Sequence, residues 1–179
     1  MSDCRETAAA EAVRAWLFLK RNPGYIGDRE KAGAAPAPEE AAPFPIRART
    51  EADRGAAAWG LLAWEDPFDE RGPASPFWAD APMLEAAPEP GAPAVTDLLK
   101  APGLRLSGLR LEDGALILKA ERGEAAVQMR IADGAGFDPA GGIALRLPVV
   151  LDLRGHLRRA ADLWSVAGVD TEKEAVAAA

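Results

Sequence analysis

Side chains that could do chemistry fall in three stretches of this sequence. The first is an acidic turn, with Glu65 and Asp66 before Pro67 and Asp69 and Glu70 after Phe68. Carboxylates grouped this closely can converge on a hard cation or divide the roles of acid and base, the equipment of a small metal-dependent enzyme. The competing reading of Glu65 to Glu70 is a solvated turn, because a proline-bounded loop turns such groups to water. The second stretch is a basic helix face near the C-terminus: Arg154 and Arg158 are spaced i, i+4, and Arg159 lies one position further round. Guanidiniums grouped this way hold phosphate oxygens in a fixed fork, and Arg146 joins them if it points the same way. Its plain alternative is a solvated face with Arg159 near Asp162. The third is AWLFLKRNPGY, residues 15 to 25, where Trp16, Phe18 and Tyr25 stand beside Lys20 and Arg21. Such a cluster stacks on nucleic-acid bases, anchors a protein interface, or packs one helix face on a core.

Other chemistries are poorly supplied. His156 and Cys4 are the only histidine and cysteine, so no Cys/His zinc site can be built within the chain, and no internal disulfide can form. The pattern G-x-S-x-G, the P-loop and H-E-x-x-H are all missing. The expectation is a protein without catalysis or cofactor, in a reducing cytoplasm. With 21 basic and 28 acidic residues the net charge is −7. That balance argues against extended contact with DNA, where phosphate neutralisation supplies most of the affinity, but allows a local basic patch. No apolar run approaches the roughly 20 residues that span a bilayer. Glu6, Glu11 and Arg14 break the first 20 residues in a way a signal peptide does not tolerate, so no membrane partner is expected.

The elements that must position these residues read as α+β. Short apolar runs from Leu104 to Gly136 are separated by Glu112-Asp113-Gly114, Glu121-Arg122-Gly123-Glu124 and Asp133-Gly134-Ala135-Gly136, the punctuation of a short antiparallel strand meander. A helix follows, with Leu153, Leu157, Ala160 and Trp164 on one stripe that packs on the meander. Before it come an N-terminal helix, stopped near Asn22 by Pro23-Gly24, and long proline-rich loops. Thr50 to Asp53 opens a short helix through Ala58, and Trp59 to Trp64 leans to a strand. The prolines between 67 and 93 send that segment over the surface, anchored by Phe68, Phe77 and Trp78. Thr96 to Lys100 is one helical turn. The divisions are therefore a helical segment at 1–31, a linker at 32–48, the rest of an N-terminal module at 49–93, a meander-plus-helix domain at 94–168 and a tail at 169–179.

Residue order adds what spacing does not. Trp16 through Arg21-Asn22-Pro23-x-Tyr25, then Trp59-Gly60-Leu61 with Glu65-Asp66-Pro67, then Pro76-Phe77-Trp78, resembles the N-terminal domain of a proteobacterial family of transcriptional regulators that includes the FseA-type activators of integrative and conjugative elements. Leu111-x-Asp113-Gly114 and the segment from Leu147 to Trp164 resemble the start of that family's RovC-like DNA-binding domain. The resemblance implies a regulator of transcription, often of conjugative transfer, whose N-terminal domain docks on the DNA-binding one. Its partner would be DNA, through Arg146, Arg154, Arg158 and Arg159, or another transcriptional regulator, with Trp16, Arg21, Tyr25, Trp59 and Trp78 at a partner or interdomain interface. DNA-binding members continue into a helix-turn-helix variant, whereas this chain ends about fifteen residues after Trp164. The expectation is that any recognition helix comes from Leu153 to Val166, or that the chain is similar to the acidic antiactivators, which occupy a partner's interface without touching DNA.

Overall fold

The computed structural model of the chain describes residues 8–39, 43–69, 74–81, 83–123, 125–146 and 161. Two helices, α1 (Ala8–Leu19) and α2 (Pro23–Ala32), come first. Pro23 and Gly24 stop α1, as expected, and also start α2. Asn22 caps the new helix by accepting the Gly24 N–H at 2.9 Å, and Pro23 sits at the first helical position, where a missing N–H has no consequence. After β1 (Ile46–Ala48) a 3₁₀ helix runs from Glu51 to Trp59. It begins where Asp53 reaches back to the Thr50 N–H and ends at Gly60, whose φ of 73° is the left-handed conformation of a helix terminus.

A six-stranded mixed sheet carries the fold, in the order β1-β3-β4-β5-β2-β6. Its centre is the expected meander: β3 (Arg105–Arg110), β4 (Leu116–Arg122) and β5 (Ala125–Ile131) pair antiparallel in sequence order. Two strands come from segments whose prolines pointed elsewhere. β1, inside the expected linker, pairs parallel with β3, and β2 (Leu84–Pro88), inside the expected surface connection, pairs parallel with β5. β6 (Ile143–Arg146) then joins β2 antiparallel rather than continuing the meander. The reason is edge pairing: a three-stranded meander leaves two rows of unpaired amides, and the nearest extended chain satisfies them. Prolines are tolerated because they sit at strand ends, Pro45 before β1 and Pro88 closing β2. Trp59 to Trp64 is not a strand either: Leu61 makes only an isolated bridge to Trp78.

Alternation along the strands sorts the core by face. Leu106, Leu116, Leu118, Met129, Ile131 and Leu84 gather on one face with Val95 of the short helix α3 (Val95–Leu98). Leu109 and Ile117 point to the other, where Ala63 and Phe77 cover them. Trp16, Tyr25, Ala56, Leu61 and Trp64 make a separate aromatic cluster, and α1 lies against β5. The C-terminal helix expected at Leu153 to Trp164, with the tail, lies outside the described residues except for position 161.

Gly134 tests the closure of the meander. Its N–H donates to the Gly114 carbonyl, and a Cβ there would stand 2.6 Å from the Leu116 nitrogen and 2.7 Å from the Gly114 oxygen, both backbone atoms that cannot rotate away. Gly134→Ala should therefore cost about 1–3 kcal/mol in urea denaturation, the range for overpacking.

Candidate functional site

The sheet face toward the 60–80 segment combines apolar with charged side chains. In the β4 pattern LILKAER, Ile117, Lys119 and Glu121 share that face because strand side chains alternate. Lys119 is fully buried, and a charged group there must be paired. Its Nζ donates to the Ser75 carbonyl, lies 3.5 Å from Glu121 Oε1 and stands 4.4 Å over the Phe77 ring. Glu121 in turn accepts the Ser75 N–H at 2.9 Å, and Arg105 comes within 3.7 Å from the solvent side. Gln128 on β5 makes a reciprocal pair with Trp78, accepting its N–H at 2.7 Å and donating to its carbonyl at 3.0 Å. Side chains of the sheet thus hold the backbone of the covering segment at two points.

Beside this lies a second cluster. Arg47 of β1 donates to the Trp64 carbonyl at 2.8 Å, reaches Asp53 at 3.4 Å and faces Glu65 at 3.6 Å. Asp53 also accepts the Trp64 N–H at 2.9 Å and the Thr50 N–H and hydroxyl at 2.8 and 2.9 Å. Burial would raise its carboxyl, but these donors and Arg47 outweigh that and hold it below the usual carboxylate range. Burial wins at Glu65, whose carboxyl is pushed up despite Lys119 and Arg47; the same desolvation lowers the Lys119 ammonium against the pull of Glu121 and Glu65. Arg47, Glu65, Arg105, Lys119 and Glu121 share a cleft of about 540 Å³.

The sites singled out by sequence take different places. Trp16 and Tyr25 are buried in the chain's own aromatic cluster with their rings 5.7 Å apart, edge to face, and Trp59 lies 5.8 Å from Tyr25. The Tyr25 hydroxyl donates to the Glu65 carbonyl, and burial pushes its pKa up to about 12. An anchoring role for Trp16 or Tyr25 toward a separate partner is thereby corrected: neither offers surface, because each packs on its own chain. Trp78 is half-buried over Gln128, whereas Arg21 is exposed. The acidic turn is split: Glu65 faces inward to Arg47, Asp66 and Asp69 are exposed, and Glu70 lies outside the described residues. Phe68, expected to anchor that segment, is 68% exposed. Arg146 is exposed at the end of β6, opposite Glu85 in the strand register; Arg154, Arg158 and Arg159 lie outside the described residues.

From sequence Glu121 reads as turn punctuation, and Lys119, Gln128 and Arg47 do not stand out. Their signal was there in part: a Lys and a Glu two apart inside an otherwise apolar strand must share one face. Among the described residues no group of three or more His, Cys, Asp or Glu is placed to hold a metal ion, and no helix is long and apolar enough to cross a membrane. Compared with protein-family models and with curated proteins, the chain matches none.

Removing Asp53 tests the second cluster. Asp53→Ala leaves the Trp64 amide unpaired and Arg47 with one carboxylate fewer, and should cost about 2–4 kcal/mol at pH 7 by urea denaturation. A carboxyl held below its ordinary value of about 3.9 stabilises the fold fully above that pH and loses the contribution as pH falls through the folded-state value. The gap between wild type and Asp53→Ala should therefore narrow as pH is taken from 5 to 3.

Proposed function

We propose that this chain is a non-catalytic regulator of transcription that acts by docking on a partner regulator, and that the outward stripe of α1 is the docking surface. One observation carries the reading. Leu17 and Phe18 are 39% and 76% exposed on a helix whose Val13 and Trp16 are locked in the core. Arg14, Leu17 and Phe18 follow the i, i+3, i+4 spacing of an amphipathic helix that inserts into a groove, and Arg21 stands in the turn just past its end. A large aromatic turned to water, with one arginine a turn before it on the helix and another in the turn just past the helix end, has the composition of an interface hot spot. Its complement is an apolar groove rimmed by carboxylates.

The resemblance supports the regulator class. The residues that carry it, Trp16, Tyr25, Trp59, Leu61, Glu65 and Trp78, lie around one packed module. Surface charge favours a protein over DNA as the partner. Arg54, Lys100, Arg110 and Arg130 each sit against a carboxylate of the chain, which offsets their attraction for phosphate. The DNA-binding reading rests on Arg146 with Arg154, Arg158 and Arg159, and the antiactivator reading is the form of this proposal in which the chain itself touches no DNA.

The experiment compares transcript profiles of three strains of the source organism: wild type, a deletion of the chain, and a strain carrying Phe18→Ala with Arg21→Ala. Both side chains are exposed, so the double variant should stay within about 0.5 kcal/mol of wild-type stability and accumulate normally. It should reproduce the transcript changes of the deletion. A deletion that leaves transcription unchanged would sink the regulator reading, and a double variant that behaves as wild type would sink the docking surface.

A further inference from the structure

Among the described residues three large apolar side chains stay exposed, Leu17 and Phe18 on α1 and Phe68 in the turn that follows Glu65. A single exposed apolar residue is ordinary, but these two sites are held rigidly and carry opposite charge. On α1 the Arg21 N–H donates to the Phe18 carbonyl at 3.2 Å, which places exposed Arg21 one turn past Phe18, with Lys20 between them. In the turn, the Asp66 carboxylate accepts the Phe68 N–H at 2.8 Å, and the Asp69 N–H donates to the Asp66 carbonyl at 3.4 Å. A bond to a neutral amide leaves the exposed Asp66 carboxylate its charge, two residues from Phe68.

One residue fixes the two sites relative to each other. Tyr25 packs edge to face on Trp16 of α1, and its hydroxyl donates to the Glu65 carbonyl at 2.8 Å and accepts the Glu65 N–H at 3.2 Å, directly before the turn. Helix and turn are therefore preorganised parts of one body, and neither has to be ordered on binding. Both stay exposed, so they do not cover each other within one chain. A second copy offers each its complement: an aromatic ring with a carboxylate for the stripe, and an aromatic ring with a guanidinium for the turn. Stripe on stripe would set cation against cation, and turn on turn carboxylate against carboxylate, so the unlike pairing is favoured.

We propose that this chain associates with itself, Leu17, Phe18 and Arg21 of one copy packing on Phe68 and Asp66 of another. The contact joins unlike surfaces, so it closes into a two-fold pair when both contacts form at once and otherwise runs head to tail. This pairing rests on the α1 stripe being a docking surface, and it names what occupies that surface until a partner regulator displaces the second copy. It is tested on the purified chain, so its failure would leave the transcript test of the regulator reading untouched, and a failure of that reading would leave self-association untouched.

Sedimentation equilibrium of the full chain, from micromolar to millimolar concentration, should give an average mass that rises above that of one chain. Phe18→Ala and Phe68→Ala should each weaken the association about tenfold or more, the loss typical of an aromatic anchor. Both rings are exposed, so the far-ultraviolet circular dichroism of each variant should match that of wild type. Mixed in equal amounts, the two variants should associate several-fold more tightly than either does with itself, because the intact stripe of the Phe68→Ala copy meets the intact turn of the Phe18→Ala copy. A mass of one chain at every concentration, a Phe68→Ala variant that associates like wild type, or a mixture no tighter than its separate components would each overturn the proposal.

Discussion

Everything on the polar side of the sheet depends on two strands that use side chains to hold a loop's backbone. Lys119 and Glu121 take the carbonyl and the amide of Ser75, and Gln128 does the same for Trp78. A loop lying over a sheet cannot join its ladder, so its amides need other partners, and buried polar side chains are the means available. The same contacts solve the complementary problem for Lys119, whose charge would be untenable in this interior without an acceptor, a carboxylate and an aromatic face around it. Loop and strand each supply what the other lacks, which makes the N-terminal module and the sheet one structural unit.

That unit determines which surfaces are left for work. Trp16, Tyr25 and Trp64 turn inward to fill the space between α1, α2 and the 3₁₀ helix, so α1 is fixed in rotation and Phe18, with Arg21 just past the helix end, faces water. Pro45 directly precedes the three-residue β1, and a cleft lies beside the start of β3.

Local signals carried much of this architecture. The turns at Asp113-Gly114 and Arg122-Gly123 are legible because glycine at positive φ between alternating runs has few other uses. The start of the 3₁₀ helix was visible in Thr50 and Asp53. β1 and β2 were not visible, since a three-residue strand and a strand ending in proline become strands only when distant β3 and β5 pair with them. The candidate sites divided the same way. The aromatic stretch at 15 to 25 announced itself, but which of its members face outward depends on the core they meet. Lys119 and Gln128 become a site only through Ser75 and Trp78, more than forty residues away.

Native-state hydrogen exchange at the Ser75 and Trp78 amides tests the central claim most directly, because each donates to a side chain of the sheet and not to a strand partner. If the sheet holds the covering segment as described, both amides exchange as slowly as Leu118 and Met129 in the middle of β4 and β5, and Glu121→Ala and Gln128→Ala release them selectively. Exchange of Ser75 and Trp78 at the rate of an open loop, in a wild-type protein whose central strands stay protected, would contradict it.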